Sequence, residues 1–223
     1  MGMSRRDALL GFGATAASGL AMSGAANACA TFQASMICQQ SGVHFAGIRP
    51  NEFDLISGQQ TMVWCWAATL EMIFGWHGRN ISQASIVTQV YGAPINAPIQ
   101  RLPLLKAIER TFTDDDGDDF DVTSQVYDLY TGQLSIGNDD ILKEFKARRP
   151  VIYCNATHMV AALGARYSNH GTPYSPNVTI CEVLVADPLP PYIGSFRSLS
   201  VCEMVPAAFP GGQLSFVATV DVS

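Results

Sequence analysis

The chain has 223 residues, 48% of them hydrophobic and 14% charged, with a formal net charge of −6. This composition belongs to a globular protein rather than a disordered one. Thirteen Lys plus Arg and a pI near 5.0 provide no basic stripe for a phosphate backbone, so nucleic acid is not expected as a partner.

The N-terminus, MGMSRRDALLGFGATAASGLAMSGAANACA, joins an arginine pair, a Gly/Ala-rich apolar run and small residues in an A-x-A arrangement, which is the layout of an export signal. Its Ser4-Arg5-Arg6-x-Ala-Leu-Leu order resembles the twin-arginine signal of bacteria. The run is too interrupted by Gly and Ser to make a good membrane span. Residues 1–30 are therefore expected to be removed, leaving 31–223 as one exported domain, periplasmic or secreted, without stable membrane association.

Cysteines stand at positions 29, 38, 65, 154, 181 and 202. An oxidising compartment makes disulfides the first expectation. Cleavage after Ala30 with Cys65 free leaves four cysteines for two bridges, with Cys181 and Cys202 as one pair. Cleavage after Ala28 keeps Cys29 to close a loop with Cys38 and leaves Cys154 unpaired.

Residues 31–60 are punctuated by Gly and Pro and read as irregular or short extended structure. From Met62 or Cys65 to about Trp76 no Pro intervenes, and Gly78 stands where a helix would stop. Ala67, Leu70, Ile73, Phe74 and His77 share one stripe of it. A second helix is expected in SQASIVTQVYG, capped by Ser82, with Ile86, Val87 and Val90 inward and Gly92 at its end. A third, IQRLPLLKAIERTF, is entered through Pro103.

The acidic segment 113–121 reads as a solvated loop. With Gly117 at the sixth position of a calcium loop, Phe112 would stand first and Thr123 last, where the site needs Asp and Glu. A fourth helix is expected over 138–149, with Asn138 as cap, acidic residues early and basic ones late, ended by Pro150. Beyond it, VIYCN, HMVAALGARY, VTICEVLVAD, SFRSLSVCEMV and LSFVATVDV read as strands. The expected fold is α+β, mainly helical over 31–149 and β over 150–223.

Cys65 sits between two tryptophans at a helix start, where unpaired amides favour a thiolate. Gln59, six residues upstream, is placed to donate to an oxyanion together with the Cys65 N–H, and Gln60 is the alternative. Of the four histidines, His44, His77, His158 and His170, only His158 comes with a matched carboxylate. The antiparallel register that sets Tyr167 opposite Val178 also sets His158 opposite Asp187, close enough for an imidazole–carboxylate hydrogen bond. Trp64, Trp66 and Trp76 read as core and cleft wall. No metal-ligand spacing appears, so neither metal nor cofactor is expected.

The segment QQTMVWCWAAT, the helix SQASIVTQVYG, and RRPVIYCNATHMVAALGARY with VLVADP together resemble papain-like cysteine peptidases, especially short bacterial ones with a Cys-Trp-Ala-Ala signature. The resemblance implies a papain-like fold, with the nucleophile helix packed on an antiparallel β lobe, and a thiol peptidase acting on protein or peptide substrates. By it, Cys65 is nucleophile, His158 base, Asp187 the orienting residue and Gln59 the oxyanion donor. Asp187 stands where many relatives carry Asn. Acyl transfer or deamidation on the same scaffold, and a catalytically idle binding domain, are the alternatives.

Overall fold

The computed structural model describes residues 42–169 and 177–223. Cys29, Cys38, His170 and the expected export signal lie outside the described residues. Helix α1, Cys65–Trp76, begins at the cysteine itself and buries most of its length. Helix α2, Gln83–Tyr91, is capped by Ser82, whose hydroxyl accepts the Ser85 N–H, and stops at left-handed Gly92 with φ +80°. Helix α3, Arg101–Ala107, is shorter than expected and starts before Pro103, because its first turn needs no proline N–H. Helix α4, Asn138–Lys146, is capped by Gly137 rather than Asn138, and the Asp140 carboxylate accepts the Gly137 N–H at 2.9 Å.

The N-terminal part is less helical than the sequence suggests. It contributes β1, Val43–Gly47, a short strand within the stretch expected to be irregular or shortly extended. The acidic segment is the turn of a hairpin between β2, Arg110–Thr113, and β3, Asp119–Thr123. Within that turn Asp114 accepts the N–H groups of Asp116 and Asp118, and Asp115 accepts that of Ser82, so the carboxylates cap backbone. Strands β4, Val126–Asp128, and β5, Gln133–Leu134, follow.

The later strands are β6, Val151–Cys154; β7, Met159–Ser168; β8, Thr179–Asp187; and β9, Ser195–Ser198. The segment Val201–Met204 forms a short helix, α5, instead of extending β9, because Ser200 and Glu203 close a capping box. Strands β10, Phe216–Thr219, and β11, Asp221–Val222, come last. The main sheet runs β5-β4-β10-β6-β7-β8-β9, with β1 also paired to β7, and β11-β3-β2 form a second, small sheet. Strands from both sides of residue 150 interleave, so that residue is not a spatial boundary.

Strand β7 is buried on both faces, which is why its sequence lacks alternation. Met159, Ala161 and Leu163 join the core beneath α1, α2 and α3, whereas Val160 and Ala162 join a second core with Ile141 and Phe145 of α4. A register irregularity between Ala162 and Gly164 changes the parity, so Ala165 and Tyr167 fall in the second core.

Candidate active site

Cys65 opens α1 on a backbone that gives the helix no side-chain cap. The helix is fastened four residues on: Thr69 Oγ1 donates to the Met159 carbonyl at 3.1 Å, wholly buried. Met159 follows His158, so this bond sets the cysteine turn beside the histidine. His158 is itself held at the end of the β6–β7 connection, where its N–H donates to Asn155 Oδ1 at 2.7 Å.

The ring Nε2 of His158 lies 2.7 Å from Asp187 Oδ1. The other nitrogen, Nδ1, is left for Cys65, which lies within hydrogen-bonding and electrostatic reach of the ring. Burial works against a charged imidazole here, but Asp187 and Cys65 outweigh it and push His158 up to about 9. Burial also opposes ionisation of Asp187, yet hydrogen bonds from His158, Arg197 and the Leu189 N–H hold its carboxyl below the usual range.

The register that joins His158 to Asp187 differs from the expected one. Ala162 faces Val185 and Ala161 faces Ala186, so Asp187 falls opposite Val160 and His158 lies one diagonal step beyond. The offset is even, which keeps both side chains on one face, and a diagonal neighbour is within reach of an imidazole.

Gln59 is buried and Gln60 exposed, which separates the two candidates by position. The Gln59 N–H donates to the Pro188 carbonyl at 2.9 Å, and its own carbonyl accepts the Tyr192 N–H at 3.2 Å. Gln59 is therefore docked on the segment that leaves Asp187. Its Nε2 donates to Thr61 O at 2.9 Å, and the amide retains a second hydrogen.

The other two described histidines are elsewhere. His77 ends α1, at the opposite end from Cys65, and His44 packs against Tyr167 with ring centroids 5.5 Å apart. Among the described residues no group of three His, Cys, Asp or Glu is arranged to hold a metal ion. Trp64 and Trp66 are buried, and Trp64 Nε1 donates to Ile95 O at 3.0 Å. Cys65 and Cys154 are the free cysteines among the described residues, and burial pushes the Cys154 thiol up to about 12.

A cysteine at a helix start, within reach of a histidine fixed by a carboxylate, is the equipment of a thiol hydrolase. The family described as "Papain-like cysteine protease AvrRpt2" matches residues 49–161, just over half of the chain. The chain belongs to that family. It is a papain-like cysteine peptidase, with an α+β fold of antiparallel sheets. No curated protein and no solved structure matches it.

Three residues of the peptidase's site were not singled out from its sequence. Gln83, fully buried at the first turn of α2, donates to Gly58 O at 3.2 Å and accepts the Gln60 N–H at 3.0 Å, bracketing Gln59 on both sides. The same side chain donates to Glu71 of α1 at 2.8 Å. Arg197 donates from Nε to Asp187 Oδ2 at 2.6 Å, and Glu203 grips the far side of that guanidinium through bonds of 2.7 and 3.0 Å. One sequence signal was available: Ser200-x-x-Glu203 is a helix-start pattern inside what reads as a strand.

Proposed function

We propose that this peptidase is an exported hydrolase of peptide bonds that works through an acyl-enzyme on Cys65. The observation that carries this reading is the 2.7 Å contact of His158 Nε2 with Asp187, made with Nδ1 left to the Cys65 sulfur. The ring orientation is then set by Asp187, and a proton shared between sulfur and Nδ1 resides on a nitrogen that favours it. Thiolate and imidazolium are the working forms.

In the first half-reaction the Cys65 sulfur attacks the scissile carbonyl carbon. The oxygen that takes the negative charge accepts from the Cys65 N–H and the second amide hydrogen of Gln59. His158 passes its Nδ1 proton to the leaving amine, the C–N bond breaks, and a thioester remains. Water then loses a proton to His158 as its oxygen attacks the thioester, and the thiolate departs with the acid product released. Substrates are proteins or peptides, in keeping with the family.

The Arg5-Arg6 pair and the Ala-rich run after it support export ahead of catalysis. Disulfide bonding of Cys181 with Cys202 fits the same compartment. The mature protein treated with a thiol-directed epoxide should carry one label, at Cys65 and not at Cys154, and lose it in His158→Ala. Peptide cleavage should vanish in Cys65→Ala and fall about 10²–10³-fold in Gln59→Ala. An unlabelled Cys65 with no cleavage of any peptide mixture would return the chain to a binding role.

A further inference from the structure

Asp187 is flanked diagonally from both neighbouring strands. His158 approaches from the β7 side, and Arg197, directly opposite Val185 on β9, approaches from the other. The carboxylate divides its oxygens between them: Oδ1 takes His158 at 2.7 Å and the Leu189 N–H at 2.9 Å, and Oδ2 takes Arg197 Nε at 2.6 Å. Arg197 is not free to leave, because its two terminal nitrogens are spent on Glu203. Glu203 in turn accepts the Ser200 N–H at 2.8 Å in the capping box of α5. The row Glu203, Arg197, Asp187, His158, Cys65 alternates in sign once the thiolate–imidazolium pair has formed.

That row answers a chemical difficulty. Where a neutral Asn would only orient the ring, an ionised Asp also holds its proton, and the ring must give that proton up and take another from water in each turnover. We propose that Arg197, braced by Glu203, is a positioning residue that fixes Asp187 and offsets its charge, so that an aspartate serves where a neutral amide otherwise would. The family match ends at residue 161, before all three of these residues, and so does not itself assign this role. The inference rests on the reading of Cys65, His158 and Asp187 as a triad.

The groups facing His158 are Cys65 from α1 and Asp187 from β8, with Cys154, Arg197 and Glu203 around the same small cleft. Charge substitution in the row has opposite consequences according to sign. Arg197→Gln keeps a donor for Asp187 but deletes the cation, so the His158 titration should move up, by about half to one pH unit. Glu203→Gln deletes an anion and leaves Arg197 more fully to Asp187, so the titration should move down. Arg197→Lys restores the charge and should bring it back toward wild type.

The test is the pH titration of the His158 ring signal by NMR, assigned through His158→Gln, in wild type and the three variants, with kcat and KM for a peptide over the same pH range. Thermal melts identify any variant that has not folded, and Glu203→Gln, farther from the triad, serves if Arg197→Gln has not. Opposite shifts, with the alkaline limb of kcat/KM following them while KM at the optimum stays nearly constant, support the proposal. Shifts of one sign in both variants mean mere loosening, and unmoved titrations mean no influence; either overturns it. Absence of peptide cleavage by wild type would instead overturn the triad reading, and the ring titrations would still decide the effect of Arg197.

Discussion

The hydroxyl of Thr69 donates to the carbonyl of Met159 at 3.1 Å in a fully buried bond. One turn of helix separates Thr69 from Cys65, and one peptide separates Met159 from His158, so a single bond fixes the spacing of nucleophile and base. Thr69→Val keeps the shape and removes the donor, leaving a buried carbonyl unpaired. It should lower stability by about 1–3 kcal/mol in urea unfolding. Peptide kcat should fall about tenfold, since a small misplacement of reacting groups is costly.

Gln83 makes the corresponding anchor for the oxyanion side. Leucine in its place would strand the Gly58 carbonyl, the Gln60 N–H and one face of Glu71, all met by this one amide. Gln83→Leu is expected to cost about 2–3 kcal/mol of stability. Because Gln59 sits between the two anchored residues, kcat should drop more than KM rises, which steady-state kinetics on the purified variant would measure.

His158 also couples stability to pH. Its folded pKa of about 9 lies above the ordinary 6.5, so the fold favours the protonated ring. That contribution is complete below about pH 6.5 and is lost as pH rises through about 9. Asp187 acts in the opposite sense: with its pKa below 3.8, its contribution is present above that value and lost as acid protonates it. Urea midpoints of wild type should therefore decline between pH 6.5 and 9, a decline missing from His158→Gln. In Cys65→Ala the decline should be smaller and end at lower pH, because one of the groups holding the proton is gone.

Gly58 faces the segment that follows Asp187 with no room for a side chain. A Cβ there would lie 2.2 Å from Ile193 N and 2.5 Å from Tyr192 C, both backbone atoms. Gly58→Ala should push the 188–194 segment off Gln59, at a stability cost of about 1–3 kcal/mol. Faster amide exchange at Tyr192, whose N–H is bonded to Gln59 O, is the local signature to measure.

Local features of the site were readable from the chain. The uninterrupted run behind Cys65 and the Ser82 and Gly92 boundaries of the next helix are matters of nearest neighbours, and they appear at those positions. The His158–Asp187 pairing was also legible, although through a register two residues away from the real one. It survived because an even slip leaves side chains on the same face. Strand β1 was legible only as one of two options, irregular or short extended structure: Val43–Gly47 becomes a strand because β7 extends far enough beyond β6 to receive it.

What the amino-acid order determined alone was the chemistry available: a thiol at a helix start, an amide six residues before it, and a histidine and an aspartate at the ends of facing strands. Such choices depend on backbone conformation over a few residues, which propensity and capping decide locally. The tertiary structure decided which groups restrain them. Thr69 meets Met159 across 90 residues of chain, and Arg197 reaches Asp187 from the adjoining strand. These contacts depend on the order of strands in the sheet and on bulges that rotate side chains between faces, and neither is encoded within any short window of sequence.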